Sequence, residues 1–83
     1  MDESLHGRIE HQIAELRAAN PRITHCRGVL EEWDEGGERR YALQLDIRWP
    51  QHQTFLTGGA HADPYEALRA AFDAAAKHMA TLH

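Results

Sequence analysis

Arg22, Arg27, Arg39, Arg40 and Arg48 crowd into one stretch of an 83-residue chain, and Arg69 and Lys77 follow in its last segment. A guanidinium is a rigid fork of donors that can grip phosphate through two bonds or lie flat on a base. These residues are therefore the candidate contacts to RNA. Arg27, Arg48 and Arg39 are expected to line an open sheet face. The plainer reading is a solvated face with Arg27 and Arg48 paired to Asp46 and nearby glutamates, because no interleaved basic run accompanies them.

The histidines suggest a second chemistry. His61, beside Ala62-Asp63, and the scattered His25, His52 and His78 could converge on zinc or nickel. Metal sites usually show tight pairs such as HxxxH or CxxC, and none is present; His6 and His11 are five apart, off one helical face. The expectation is no metal and no cofactor. Cys26 could act as a nucleophile with His25 or His52, but a reactive thiolate needs a positioned base and an electropositive pocket. Its place in an alternating segment marks it as a core residue. The acidic run Glu31, Glu32, Asp34, Glu35 and Glu38 lacks the Asp-x-Asp-x-Asp-Gly spacing of a calcium loop. Trp33 and Trp49 fit the rim of a core, with stacking on a base or a partner ring as the alternative. No acid–base pair or nucleophile is set up for catalysis, so neither an enzyme nor a small-molecule substrate is expected.

Thirteen carboxylates against nine Lys and Arg give a formal charge of −4. That balance disfavours indiscriminate binding to phosphate backbones, which relies on excess cations. Seven histidines would carry the charge toward neutral or positive near pH 6 and make nucleic-acid affinity depend on pH. A single cysteine excludes an internal disulfide and fits a reducing compartment. The acidic start, Met1-Asp2-Glu3-Ser4, is not expected to act as a signal peptide, and nothing reaches the length of a membrane span. A cytoplasmic, single-domain protein spanning residues 1–83 is the expectation.

The elements that must position these groups follow from periodicity. Leu5, Ile9, Ile13 and Leu16 form one helical stripe over about Ser4–Ala19, capped by Asp2 or Ser4 and ended by Asn20-Pro21. Ile23 to Trp33 reads as a strand with Cys26, Gly28 and Leu30 on one face and His25, Arg27 and Val29 on the other. Trp33 to Glu38 is a hairpin tip in which Gly36-Gly37 supplies positive φ. Tyr41, Leu43, Leu45, Ile47 and Trp49 then alternate with Ala42, Gln44, Asp46 and Arg48, one face buried and one wet. Gln51 to Thr57 is a shorter third strand, and Gly58-Gly59 releases the chain. In the last helix Asp63 is the N-cap, Pro64 takes the first position and Glu66 completes a capping box. Its stripe is Tyr65, Leu68, Phe72, Ala75, Met79 and Leu82, with Arg69–Asp73 and Asp73–Lys77 as i,i+4 pairs.

Three stretches carry a resemblance: Pro21-Arg22-Ile23-Thr24-His25-Cys26-Arg27, Tyr41-Ala42-Leu43-Gln44-Leu45-Asp46-Ile47, and His61-Ala62-Asp63-Pro64-Tyr65-Glu66-Ala67-Leu68-Arg69-Ala70-Ala71-Phe72-Asp73. With them the chain resembles the ribosome hibernation-promoting factors and ribosome-associated translation inhibitors, also called sigma-54 modulation proteins, from about Ile9 to Leu82. The resemblance implies a β-α-β-β-β-α domain that docks in the decoding channel of the small ribosomal subunit, contacts ribosomal RNA through basic residues and favours dormant ribosomes, as in stress. The family's first strand has no counterpart in Met1-Asp2-Glu3. What remains is an α+β two-layer sandwich, α-β-β-β-α, with a three-stranded antiparallel meander and both helices on one face, the order of a double-stranded-RNA-binding domain. Loss of that strand would bare the Ile23–Trp33 edge for a homodimer or a partner's strand. The alternative function is therefore a protein–protein module, a homodimer or a regulator's partner, that keeps the fold without binding RNA.

Overall fold

Leu43, Leu45 and Ile47, the inward residues of the clearest strand pattern, are fully excluded from solvent in a computed structural model that describes residues 3–81. They sit on the central strand of a three-stranded antiparallel sheet of order β1-β2-β3. The element order is α1 (Glu3–Ala19), β1 (His25–Glu35), β2 (Glu38–Trp49), β3 (His52–Thr57) and α2 (Pro64–Ala80). Ile9, Ile13 and Leu16 of α1 and Leu68, Ala71, Phe72, Ala75 and Met79 of α2 join those strand residues in one core. Both helices therefore cover the same sheet face, and the other face is left open, as the sequence pattern implies. No helix among the described residues is long and apolar enough to cross a membrane.

The connections show why the chain turns where it does. Asn20 closes α1 through its backbone and side-chain nitrogens, both bonded to the Leu16 carbonyl at 3.1 and 3.0 Å. Its own carbonyl accepts from Ile23 N–H at 3.0 Å, making a β-turn with Pro21 at the second position, where a fixed φ is favoured. The first hairpin is tighter than expected. Its strands run to Glu35 and from Glu38, so only Gly36 and Gly37 turn, at φ 61° and 86°. Two positive φ values in a two-residue loop are what a twisted hairpin needs. Trp33 lies within β1, opposite Arg40.

Four local expectations change. Asp63 caps α2 by accepting from Tyr65 N–H at 2.8 Å, but no reciprocal bond from Glu66 closes the capping box. Tyr65 is not a core residue: it is 39% exposed, its hydroxyl bonds Ser4 Oγ at 2.9 Å, and the Arg8 guanidinium lies 5.2 Å from its ring centre. Ser4 thus ties the start of α1 to the start of α2; the alternative cap Asp2, like Leu82 of the last stripe, lies outside the described residues. The α2 pairs Arg69–Asp73 and Asp73–Lys77 are not closed as ion pairs. Both involve exposed side chains, for which the entropy of holding two long groups together offsets the attraction.

Ala67 and Ala71, wholly buried, replace Tyr65 on the inner face and let α2 lie close to the sheet. The approach is closest at Gly58, where a Cβ would stand 2.4 Å from the Ala70 carbonyl carbon. The chain then pairs back on β2, with Tyr41 and His61 exchanging both backbone bonds at 2.8 Å. That bridge fixes the approach to Asp63.

Candidate interaction surface

Residues with the parity of Arg27 in β1 face away from the helices, and the ladder carries that parity across the sheet. Arg27 stands opposite Asp46, His25 opposite Arg48, Val29 opposite Gln44 and Trp33 opposite Arg40; on the other side Asp46 meets Phe55 and Arg48 meets Gln53. The open face therefore carries Arg27, Arg40 and Arg48. Arg39 does not belong there. It has the parity of Tyr41 and Leu43 and projects on the helix-side face of the hairpin, opposite Asp34. A one-residue step along a strand reverses the face, which decides between adjacent arginines.

The remaining candidates lie elsewhere: Arg22 in the turn before β1, and Arg69 and Lys77 exposed along α2, across the molecule from the open face. The seven sequence-selected cations thus fall into separate groups rather than one patch.

Several of them are already neutralised. Arg39 holds Glu32 at 2.8 Å and Asp34 at 3.0 Å, and Arg40 holds Glu38 at 2.9 Å. Arg48 grips Asp46 with two nitrogens, at 3.0 and 3.3 Å, and Gln53 adds a third bond at 3.0 Å. The Arg48 and Gln53 hydrogen bonds hold the Asp46 carboxyl below its ordinary value. Among the described residues, Arg22, Arg27, Arg69 and Lys77 form no ion pair.

Between these charges the open face exposes apolar side chains. Phe55 is 60% exposed, Val29 43% and Trp33 37%. The pattern ranked Phe55 and Val29 only as strand residues; their exposure follows from which face the helices cover. Trp49, at the opposite end and on the opposite face, packs at the core rim and stacks on His52 at 5.5 Å.

The other chemistries separate in space. Among the described residues no cluster of His, Cys, Asp or Glu could hold a metal. His6 and His11 lie beside Glu10 and Glu15 on α1, and His61 bonds the Gly58 carbonyl. Cys26 is half-buried on the helix side, and burial pushes its thiol pKa up, against Arg17 and with Asp46. A suppressed thiolate is a poor nucleophile. A cleft of about 490 Å³ between the helices mixes Arg8 and Arg69 with Asp63, Glu66 and Asp73, so no single charge dominates it.

No family model matches the chain, and no curated protein or solved structure matches it significantly.

Proposed function

We propose that the chain is a cytoplasmic, ribosome-associated factor that binds the small subunit and modulates translation or ribosome dormancy. The observation that carries this reading is the one-sided roof of α1 and α2 over the β1-β2-β3 meander, the architecture implied by the resemblance less its first strand. The motif His61–Asp73 supports it further, since it contains the bridge to Tyr41, the Asp63 cap and the inner face of α2. Contacts to ribosomal RNA fall to Arg22, Arg27, Arg69 and Lys77, the candidate cations that have no ion-pair partner among the described residues. Arg39, Arg40 and Arg48 must break existing pairs to contribute. Co-sedimentation with small subunits, weakening steeply as salt rises, is the expected result; a protein left in the supernatant at low salt overturns the proposal.

A second reading rests on the neutralised arginines beside exposed Phe55, Val29 and Trp33: a protein–protein module that keeps the fold without binding RNA. A pull-down from stationary-phase lysate separates the two. Recovery of small-subunit RNA that is lost with Arg27→Ala favours the first, and recovery of a protein that is lost with Phe55→Ser favours the second.

A further inference from the structure

β1 forms one edge of the sheet, with eleven residues against six in β3 at the other edge, and neither proline nor lysine interrupts it. Tyr41 spends its backbone bonds on His61, so the odd-numbered positions of β2 face β3 and the even-numbered ones face β1. Thr24 N–H donating to the Arg48 carbonyl at 2.8 Å agrees. Through the ladder, Arg27, Val29 and Glu31 spend their bonds on β2, while Cys26, Gly28, Leu30 and Glu32 direct N–H and C=O outward. A further strand would find these groups ready to pair.

The charge along this edge is polarised. His25 and Arg27 stand at its start, and Glu31, Glu32, Asp34 and Glu35 crowd its end. A second copy laid antiparallel sets the basic start against the acidic end, whereas a parallel copy sets like against like. We propose that two copies of this chain pair antiparallel through β1, with Val29 opposite Val29 at the two-fold axis. Arg27 then faces Glu31 of the other copy twice over, and His25 faces Trp33. Among the described residues neither Arg27 nor Glu31 has an ion-pair partner within its own chain. In the two adjacent registers that also use the outward groups, Arg27 meets Val29 or Trp33. One step further it meets Glu35, but Glu31 then faces Glu31 at the axis, so only the Val29 register makes the ion pair without a like-charge clash.

The helix side fits the same register. Gly28 lies opposite Leu30 of the other copy and has no side chain to obstruct it. Gly28 and Leu30 both line a groove of about 370 Å³ with Leu5, Ile9, Tyr41 and Pro64. The arriving leucine enters that groove and covers half-buried Leu5 and Leu30. The result is a continuous six-stranded sheet with four helices on one face and both open faces on the other.

The experiment is the mass of the purified chain by sedimentation equilibrium, with charge variants. Wild type is expected to dimerise. Arg27→Glu and Glu31→Arg should each weaken the dimer by about tenfold or more, because two attractive cross-strand pairs become repulsive, and the double variant should recover it. In a Cys26→Ser background, Val29→Cys should cross-link to itself on oxidation, its Cα atoms being about 4.5 Å apart in a non-hydrogen-bonded pair. Trp33→Cys should not. A monomeric wild type at high concentration, a double variant no better than the singles, or equal cross-linking at both positions overturns the proposal. No ribosome enters this assay, so its failure and the failure of small-subunit binding are read separately.

Discussion

The two faces of β2 make the most instructive contrast in this molecule. Leu43, Leu45 and Ile47 are sealed beneath both helices, while one residue away Gln44 and Arg48 are exposed and Asp46 is held by Arg48 and Gln53. Burial of apolar area at about 25 cal/mol per Å² places the stability of the domain on the first face. The second face contributes little to folding, and its side chains are free to be chosen for a partner. A small domain with one core works this way because it has only one face to seal.

The contrast breaks most sharply with Leu45→Ala. It should cost about 2–5 kcal/mol, read from the denaturant midpoint, because a cavity opens where neighbouring side chains relax only in part. A cost below about 1 kcal/mol would mean that the helices do not seal this face as described. Gly58→Ala comes next, at about 1–3 kcal/mol, since its Cβ meets the backbone of Ala70 and α2 must move away. Asp63→Ala should cost about 1 kcal/mol by freeing the Tyr65 N–H, visible as fraying of α2 in hydrogen exchange.

Cys26 supplies a pH test of the sealed face. Burial raises its pKa in the folded state, so the unfolded chain loses the thiol proton first. The contribution to stability is intact below the unfolded thiol's value and is lost as pH rises from there through the folded value. Denaturation midpoints measured across mildly alkaline pH should fall for wild type and flatten for Cys26→Ala. The smallest effect belongs to the open face. Phe55→Ser should change stability by no more than about 0.5 kcal/mol. A larger loss would show that this ring packs against something and that the two faces are less distinct than their exposures indicate.

Most of the fold was legible because its signals are local. The alternation over Tyr41–Trp49, the Gly36-Gly37 turn, the Asn20-Pro21 stop and the Asp63-Pro64 start each constrain a few neighbouring dihedrals, and each is in place. Tyr65 was misplaced because its spacing fits the α2 stripe equally well, and only the nearby α1, with Ser4 and Arg8, draws it outward. Gly58 carried no sign of its closest neighbour, Ala70, which lies in a later element. The candidate site was less legible still. The residue types were right for binding phosphate, but pairing removes three guanidiniums. Arg48 and Arg40 bind carboxylates two residues away on their own strand, whereas the partners of Arg39, Glu32 and Asp34, are brought to it by the hairpin register.

The sequence by itself determined which segments are helix and strand and that Leu43, Leu45 and Ile47 avoid water, because backbone propensity and hydrophobic period act over a few residues. Tertiary structure alone decided that Arg40 rather than Arg39 shares the open face with Arg27, that Arg39 is taken by Glu32 and Asp34 across the hairpin, and that α1 draws Tyr65 out of the core. Those outcomes depend on groups that only strand register and helix docking bring together.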